Sequence, residues 1–145
     1  MIYFAPLEPA VHWDWVRERA RPLLCEDTCG IIALGDTGEI MAAAVFDNFT
    51  NSSCMTHLAI DNPIVIRSGF LTEVANYLFH TRGRIVIFGT TPSDNKRALK
   101  FNKHMGWTEI YRVKDAYDVG VDYVVQEIRK EDCKWLLDES SEEVA

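Results

Sequence analysis

The sequence predicts a mixed domain of the α/β or α+β class, and three observations lead there. Two short apolar runs, Gly30 to Gly35 and Ile40 to Phe46, flank the turn-forming Asp36-Thr37-Gly38-Glu39, which is the pattern of a β-hairpin. Phe70, Leu71, Val74, Ala75, Leu78 and Phe79 fall on one stripe at about 100° per residue, the spacing of an amphipathic helix. Around these two landmarks helix and strand signals alternate, with no internal repeat.

Taken in chain order, Ile2 to Leu7 reads as a short strand. Pro9 suits the first turn of a helix that carries Val11, Trp15, Val16 and Ala20 inward, and Pro22 interrupts it. Leu23 to Cys29 reads as a second short helix or a turn. Beyond the hairpin and the polar loop Asn48 to Ser52, Cys54 to Asp61 is a third sheet strand, closed by Asn62-Pro63. Gly83 stops the striped helix, and Arg84 to Gly89 is a short apolar strand of the kind buried on both faces. Ser93 and Asp94 offer N-caps for a helix through Met105, with Gly106 as its stop. Trp107 to Val113 and Val121 to Ile128 complete the strands, joined by a loop with Asp118 and Gly120.

A length of 145 residues, 48% of them hydrophobic, supports one core, expected over residues 1–137 with an acidic tail at 138–145. No apolar run approaches the roughly 18 residues that cross a bilayer. The first residues also lack the basic start and long apolar centre of a secretory signal, so the expectation is a cytoplasmic protein with reduced thiols. Cys25, Cys29, Cys54 and Cys133, with His12, His57, His80 and His104 scattered among them, give no zinc spacing, and no metal is expected. The formal charge of −7 is concentrated at the end: six acids and one base, Lys134, lie from Glu131 onward. The remainder is close to neutral, which argues against a nucleic-acid backbone as partner. A patch of Lys96, Arg97, Lys100 and Lys103 still suits a small phosphorylated ligand. Trp13, Trp15, Trp107 and Trp135 read as core or interface anchors, without the regular basic interleaving of a base-stacking surface.

The order hairpin, strand, helix, strand, helix and two strands, together with Asn95-Lys96-Arg97-Ala98-Leu99-Lys100-Phe101-Asn102-Lys103-His104-Met105-Gly106-Trp107, resembles the GNAT acyltransferases. That family often opens this helix with Asn, places Ala three residues on, and closes it with Leu-Gly-Phe, here Met105-Gly106-Trp107. The C-terminal stretch Gly120 to Arg129 and Glu131 to Leu136 looks like the ending of small phage-encoded GNAT-like proteins, which would place the chain in a host cytoplasm. The resemblance implies a mostly antiparallel sheet of six or seven strands with about four helices. It also implies a splay beside a parallel neighbour, where acetyl-CoA lies.

From the same resemblance come the expected function and sites. The activity implied is transfer of an acetyl group from acetyl-CoA to an amine of a small molecule or protein. Arg67, Ser68, Gly69 and Phe70, at the start of the central helix, would hold the pyrophosphate, where unpaired amides and the helix dipole favour negative charge. Asn95 would contact the pantetheine side. His57 is the base candidate on the strand before that turn, which also carries Asp61. The family's acid Tyr falls at Asn102, so protonation of the thiolate would pass to Tyr111, Tyr123 or solvent. Cys54 reads as a small buried strand residue rather than a nucleophile. Two other readings remain: a GNAT-like binding or virion-associated module without catalysis, and a modifier of nucleobases or nucleotides. A homodimer is an open assembly.

Overall fold

The β-hairpin foreseen in the sequence forms as β2 (Cys29–Leu34) and β3 (Ile40–Asp47), closed by Gly38 at φ +83°. In the computed structural model, which describes residues 1–136, five further strands join it in one sheet: β1 (Tyr3–Pro6), β4 (Ser53–Ile60), β5 (Val86–Pro92), β6 (Thr108–Asp118) and β7 (Val121–Arg129). The spatial order is β1-β2-β3-β4-β5-β7-β6. The acidic tail expected at 138–145 lies outside the described residues. Helices α1 (Pro9–Arg19), α2 (Ile64–Arg67), α3 (Phe70–Ala75) and α4 (Lys96–His104) complete the fold. No helix among the described residues is long and apolar enough to cross a membrane.

Period-two alternation divides the core between the two faces of the sheet. On one face Ile31, Ala33, Ala42, Ala44, Phe46 and Cys54 pack against Phe70, Leu71, Val74 and Leu78 of the α3 segment. On the other, Ile32, Ala43 and Val45 meet Leu7 and Val16 of α1. The small alanines of β3 let helices approach on both sides. Phe46, Phe70 and Phe79 are fully buried and anchor the first layer, each worth roughly 1.5–3 kcal/mol of transfer free energy.

All strand pairs are antiparallel except β4 with β5, which are parallel. That pairing covers only Ser53 with Val86, Cys54 with Ile87 and Met55 with Phe88. Beyond it β4 stays paired to β3 as far as Ile60, and β5 stays paired to β7 as far as Pro92. The two strands therefore part inside an otherwise continuous sheet, and the main-chain groups along the parting have no ladder partner.

Several local expectations change. Val11 points outward and is 67% exposed, while His12 and Val16 face inward. The His12 ring can be buried there because Nδ1 accepts the Glu8 N–H at 2.9 Å, satisfying a free donor at the helix start. Residues after Pro22 form a turn rather than a helix, with Arg21 at φ +52° ahead of the proline. The break after Asn62-Pro63 winds into the single turn of α2. α3 widens into a π-helical segment, Asn76–Thr81, yet Leu78 and Phe79 stay buried, so the stripe read from sequence keeps its face.

The cap of α4 is Asn95, whose Oδ1 accepts the Ala98 N–H at 3.2 Å; neither Ser93 nor Asp94 takes that role. Ser93 instead extends the β5–β7 ladder, donating its N–H to the Asp122 carbonyl at 2.8 Å. Ala98 and Phe101 are half-buried and only Met105 reaches the core. β5 starts later than expected and buries Ile87, Gly89 and Thr91 on one face, with Phe88 half-covered on the other. β6 is an edge strand, exposed throughout.

Candidate active site

The parting of β4 and β5 begins at a pinch that only glycine permits. A Cβ on Gly89 would stand 2.8 Å from the Thr56 carbonyl oxygen, so the backbones touch there before they diverge. β4 then leads through α2 to the start of α3, where Gly69 adopts φ +89°, a left-handed conformation natural to glycine. This bend sets the N-terminus of α3 beside the end of β4.

Of the main-chain donors expected at that N-terminus, Ser68 and Gly69 are engaged within the chain and Phe70 is not. The Ser68 N–H is engaged by the Ile64 carbonyl and the Gly69 N–H by the Ile66 carbonyl, both at 3.2 Å, and the Ser68 hydroxyl donates to Ile64 O at 3.1 Å. Those groups close α2 and are turned away from any ligand. The N–H groups of Phe70, Leu71 and Thr72 have no partner among the described residues, and no side chain caps the helix. Arg67 is exposed and pairs with no carboxylate among the described residues. Unpartnered amides at a helix start, beside an exposed guanidinium, are groups of the chemistry that anions bind.

On the opposite face of the sheet, just past the last β4–β5 pair, His57 meets Asp47 of β3, Nε2 to Oδ2 at 3.0 Å. The two are diagonal neighbours, because Val45 pairs with His57 and Asp47 with Met55. The Asp47 side chain is 4% exposed and that of His57 is 20% exposed. The carboxylate is thus held inside while the imidazole keeps an accessible edge. The Asn48 side-chain amide donates to the other Asp47 oxygen at 3.1 Å. Asp61, the other acid on this stretch, is tied to α1 by a two-oxygen contact with Arg19 Nε at 2.9 and 3.0 Å.

Asn102 is engaged in packing. Its amide donates to Thr91 Oγ1 at 3.3 Å and to Gln126 Oε1 at 3.0 Å, fastening α4 to β5 and β7. Of the two tyrosines considered for proton donation, Tyr111 is on the edge strand and 68% exposed. Tyr123 pairs with Pro92 at the open end of β5, on the same sheet face as His57. Asn95 has its carbonyl oxygen committed to the α4 cap, as described above.

Cys54 is inert by environment. Burial pushes its thiol up to about 12. An unfolded chain ionises this thiol near its ordinary value of 9.0, whereas the native state holds the proton to about 12. Stability from this group is therefore complete below pH 9 and is lost as pH rises through that window. The expected slope approaches about 1.4 kcal/mol per pH unit. Urea unfolding between pH 8 and 11 should show that decline in the native chain and a shallower one in Cys54→Val; equal slopes would refute it. No group of three or more metal-ligating side chains occurs among the described residues.

A seven-stranded, mostly antiparallel sheet opened between two parallel strands, with helices crossing on either side, is the fold of the GNAT N-acetyltransferases. Mutant forms of the spermidine/spermine N-acetyltransferase SpeG from Vibrio cholerae are similar to this chain with a TM-score of 0.73 and 9% identity, over 90% of this chain and 96% of theirs. Another SpeG mutant has a TM-score of 0.73 at 10% identity, over 96% and 98% of the two chains. A GNAT-family protein from Desulfovibrio desulfuricans gives 0.69 at 17% identity, over 90% and 99%. At such identities the likeness is one of fold. No protein-family profile matches the sequence, and no curated protein matches it.

Proposed function

We propose that this chain is an N-acetyltransferase that takes acetyl groups from acetyl-CoA and passes them to an amine. The observation that carries the reading is the set of three orphan amides at Phe70, Leu71 and Thr72, with Arg67 beside them, at the end of the strand that parts from β5. These groups fit a diphosphate, and the unpaired edges of β4 and β5 fit the amide groups of a pantetheine arm. Bound there, the coenzyme supplies an acetyl thioester whose thiolate leaves readily near neutral pH.

The chain's own residues then have separable tasks. Asp47 holds Nε2–H of His57, which fixes the tautomer and leaves Nδ1 to accept the proton that the acceptor amine loses on attack. Tyr123, across the parting on the same face, is placed to return a proton to the sulfur. Asn102 secures α4 and does not itself titrate.

Coenzyme A should raise the melting temperature in proportion to the logarithm of its concentration, by about 2.7 kcal/mol of stability at a hundredfold excess over Kd. Arg67→Ala should weaken that response, and an unchanged melting temperature at millimolar coenzyme would end the proposal. Release of free thiol from acetyl-CoA over a panel of amines then tests transfer. Spermidine and spermine come first in the panel, since SpeG carries them in its name.

Asn102, with its amide already engaged where the family carries an acid, favours a second reading, a coenzyme-binding module without transfer. Coenzyme-dependent stabilisation with no thiol release from any amine would select it.

A further inference from the structure

The layer between the sheet and α3 holds a cavity of about 40 Å³. One ordered water needs roughly 10–15 Å³, so there is room for about three groups of that size. The residues around it tie it to the parting of β4 and β5. Thr56 and Leu58 both line it, and both lie beyond Met55, the last β4 residue paired with β5. Thr56 is also the residue whose carbonyl meets Gly89 at the pinch. Leu71, whose main-chain amide is one of the three left free at the start of α3, lines the cavity with Val74 and Ala75, one helix turn further on.

The chemistry of the wall is one-sided. No charged side chain lines it, and Thr56 carries its only side-chain oxygen. The indole N–H of Trp135, on the far side, already donates to the Met105 carbonyl at 3.1 Å. Thr56 is 7% exposed, and its Oγ1 has no hydrogen-bond partner among the described residues. A buried hydroxyl left unpaired is destabilising, and apolar cavities take apolar guests. The guest that answers both conditions is a short hydrocarbon chain headed by one acceptor oxygen, which is the form of an acyl group. Strand alternation supplies a further reason. Thr56 faces the α3 layer and His57 the opposite face, so a chain in the cavity leaves the His57 side of the parting open to an amine.

We propose that this cavity receives the acyl chain of the coenzyme thioester, and that the donor is an uncharged acyl group with about two or three methylenes more than acetyl, butyryl or pentanoyl. Thr56 Oγ1–H donates to the thioester carbonyl oxygen. The inference rests on the coenzyme reading above and extends its donor from acetyl to a longer chain. The balance of the reaction is unchanged: the amine nitrogen bonds to the carbonyl carbon, the C–S bond breaks with its electron pair on sulfur, and the amine loses one proton while the thiolate gains one.

Titration calorimetry of the full chain with coenzyme A, acetyl-CoA, butyryl-CoA and succinyl-CoA tests this. Affinity should rise from acetyl to butyryl by about fourfold for each added methylene. Succinyl-CoA has the same four acyl carbons but ends in a carboxylate, and it should gain nothing over acetyl-CoA. Equal affinities for acetyl-CoA and butyryl-CoA, or an equal gain with succinyl-CoA, overturn the proposal. So does a rise in melting temperature with sodium butyrate alone that matches the rise with butyryl-CoA, since the cavity would then serve a free ligand. If neither coenzyme A nor any thioester binds, the coenzyme reading falls and takes this inference with it. If coenzyme A binds and chain length changes nothing, only this inference falls.

Two variants locate the chain. Ala75→Leu fills the cavity and should cancel the advantage of butyryl-CoA over acetyl-CoA. Thr56→Val should weaken every acyl thioester several-fold relative to free coenzyme A, and Thr56→Ser should restore the native ratio. Each readout is a ratio within one variant, so a general loss of stability does not imitate it. A butyryl advantage that survives in Ala75→Leu puts the chain elsewhere and overturns the proposal.

Discussion

His57→Gln should lower the rate of acetyl transfer by about 10²- to 10⁴-fold, the range that a positioned general base contributes. Coenzyme binding should hardly change, because His57 lies on the sheet face opposite the α3 layer and touches none of the anion-binding groups. The loss should appear in kcat more than in KM for the coenzyme. Asp47→Asn should give a smaller loss, because an amide can hold the ring yet no longer enforces one tautomer. An unchanged urea midpoint and unchanged coenzyme-dependent stabilisation in His57→Gln separate this from mere structural damage. Full activity in that variant would remove the pair from the mechanism.

Phe70→Ala should cost about 3–5 kcal/mol of stability, read as a lowered urea midpoint with little change in slope. Phe70 is wholly buried, its ring centroid stands 5.8 Å from that of Phe4, and it is the first residue of α3. Its side chain therefore does two things with one contact. It fills the layer between α3 and β1, and it anchors the turn whose amides are free for an anion. The variant should lose coenzyme-dependent stabilisation as well as intrinsic stability. A loss below about 1 kcal/mol would mean that neighbouring side chains collapse into the gap and that the turn is held by something else.

How far the sequence could be read depended on how local each signal was. The α3 stripe and the β2–β3 hairpin were legible because their patterns repeat within a few residues, and both occupy the places expected. The cap of α4 could not be singled out because Ser93, Asp94 and Asn95 are all good caps; the β5–β7 ladder, a contact across the chain, takes Ser93, and the helix-opening role falls to Asn95. Val11 and His12 exchanged places for a similar reason. A histidine is a poor core residue until its ring nitrogen finds a donor, and the Glu8 amide supplies one.

The candidate site divides along the same line. His57 and Arg67 could be picked out from side-chain chemistry and from the resemblance. Asp47 could not, because it becomes a partner of His57 only through the antiparallel register of β3 and β4. An acid ending one strand and a histidine in the middle of the next, across the five-residue loop Asn48 to Ser52, was the available signal, and it needs the register to be known. Phe70 was within the expected turn, but the engagement of the Ser68 and Gly69 amides, and the free amides of Leu71 and Thr72, were hidden, since they depend on α2 closing on itself.

The sequence by itself determined the class of fold, the alternation of its elements, the identity of the long amphipathic helix and the uneven placement of charge. All of these follow from patterns within reach of a single helix turn or strand. Only the tertiary structure decided where β4 and β5 part, which amides remain unpaired, and that a buried carboxylate faces His57. Those features arise when segments distant in the chain compete for the same hydrogen bonds, and no local pattern records which of them wins.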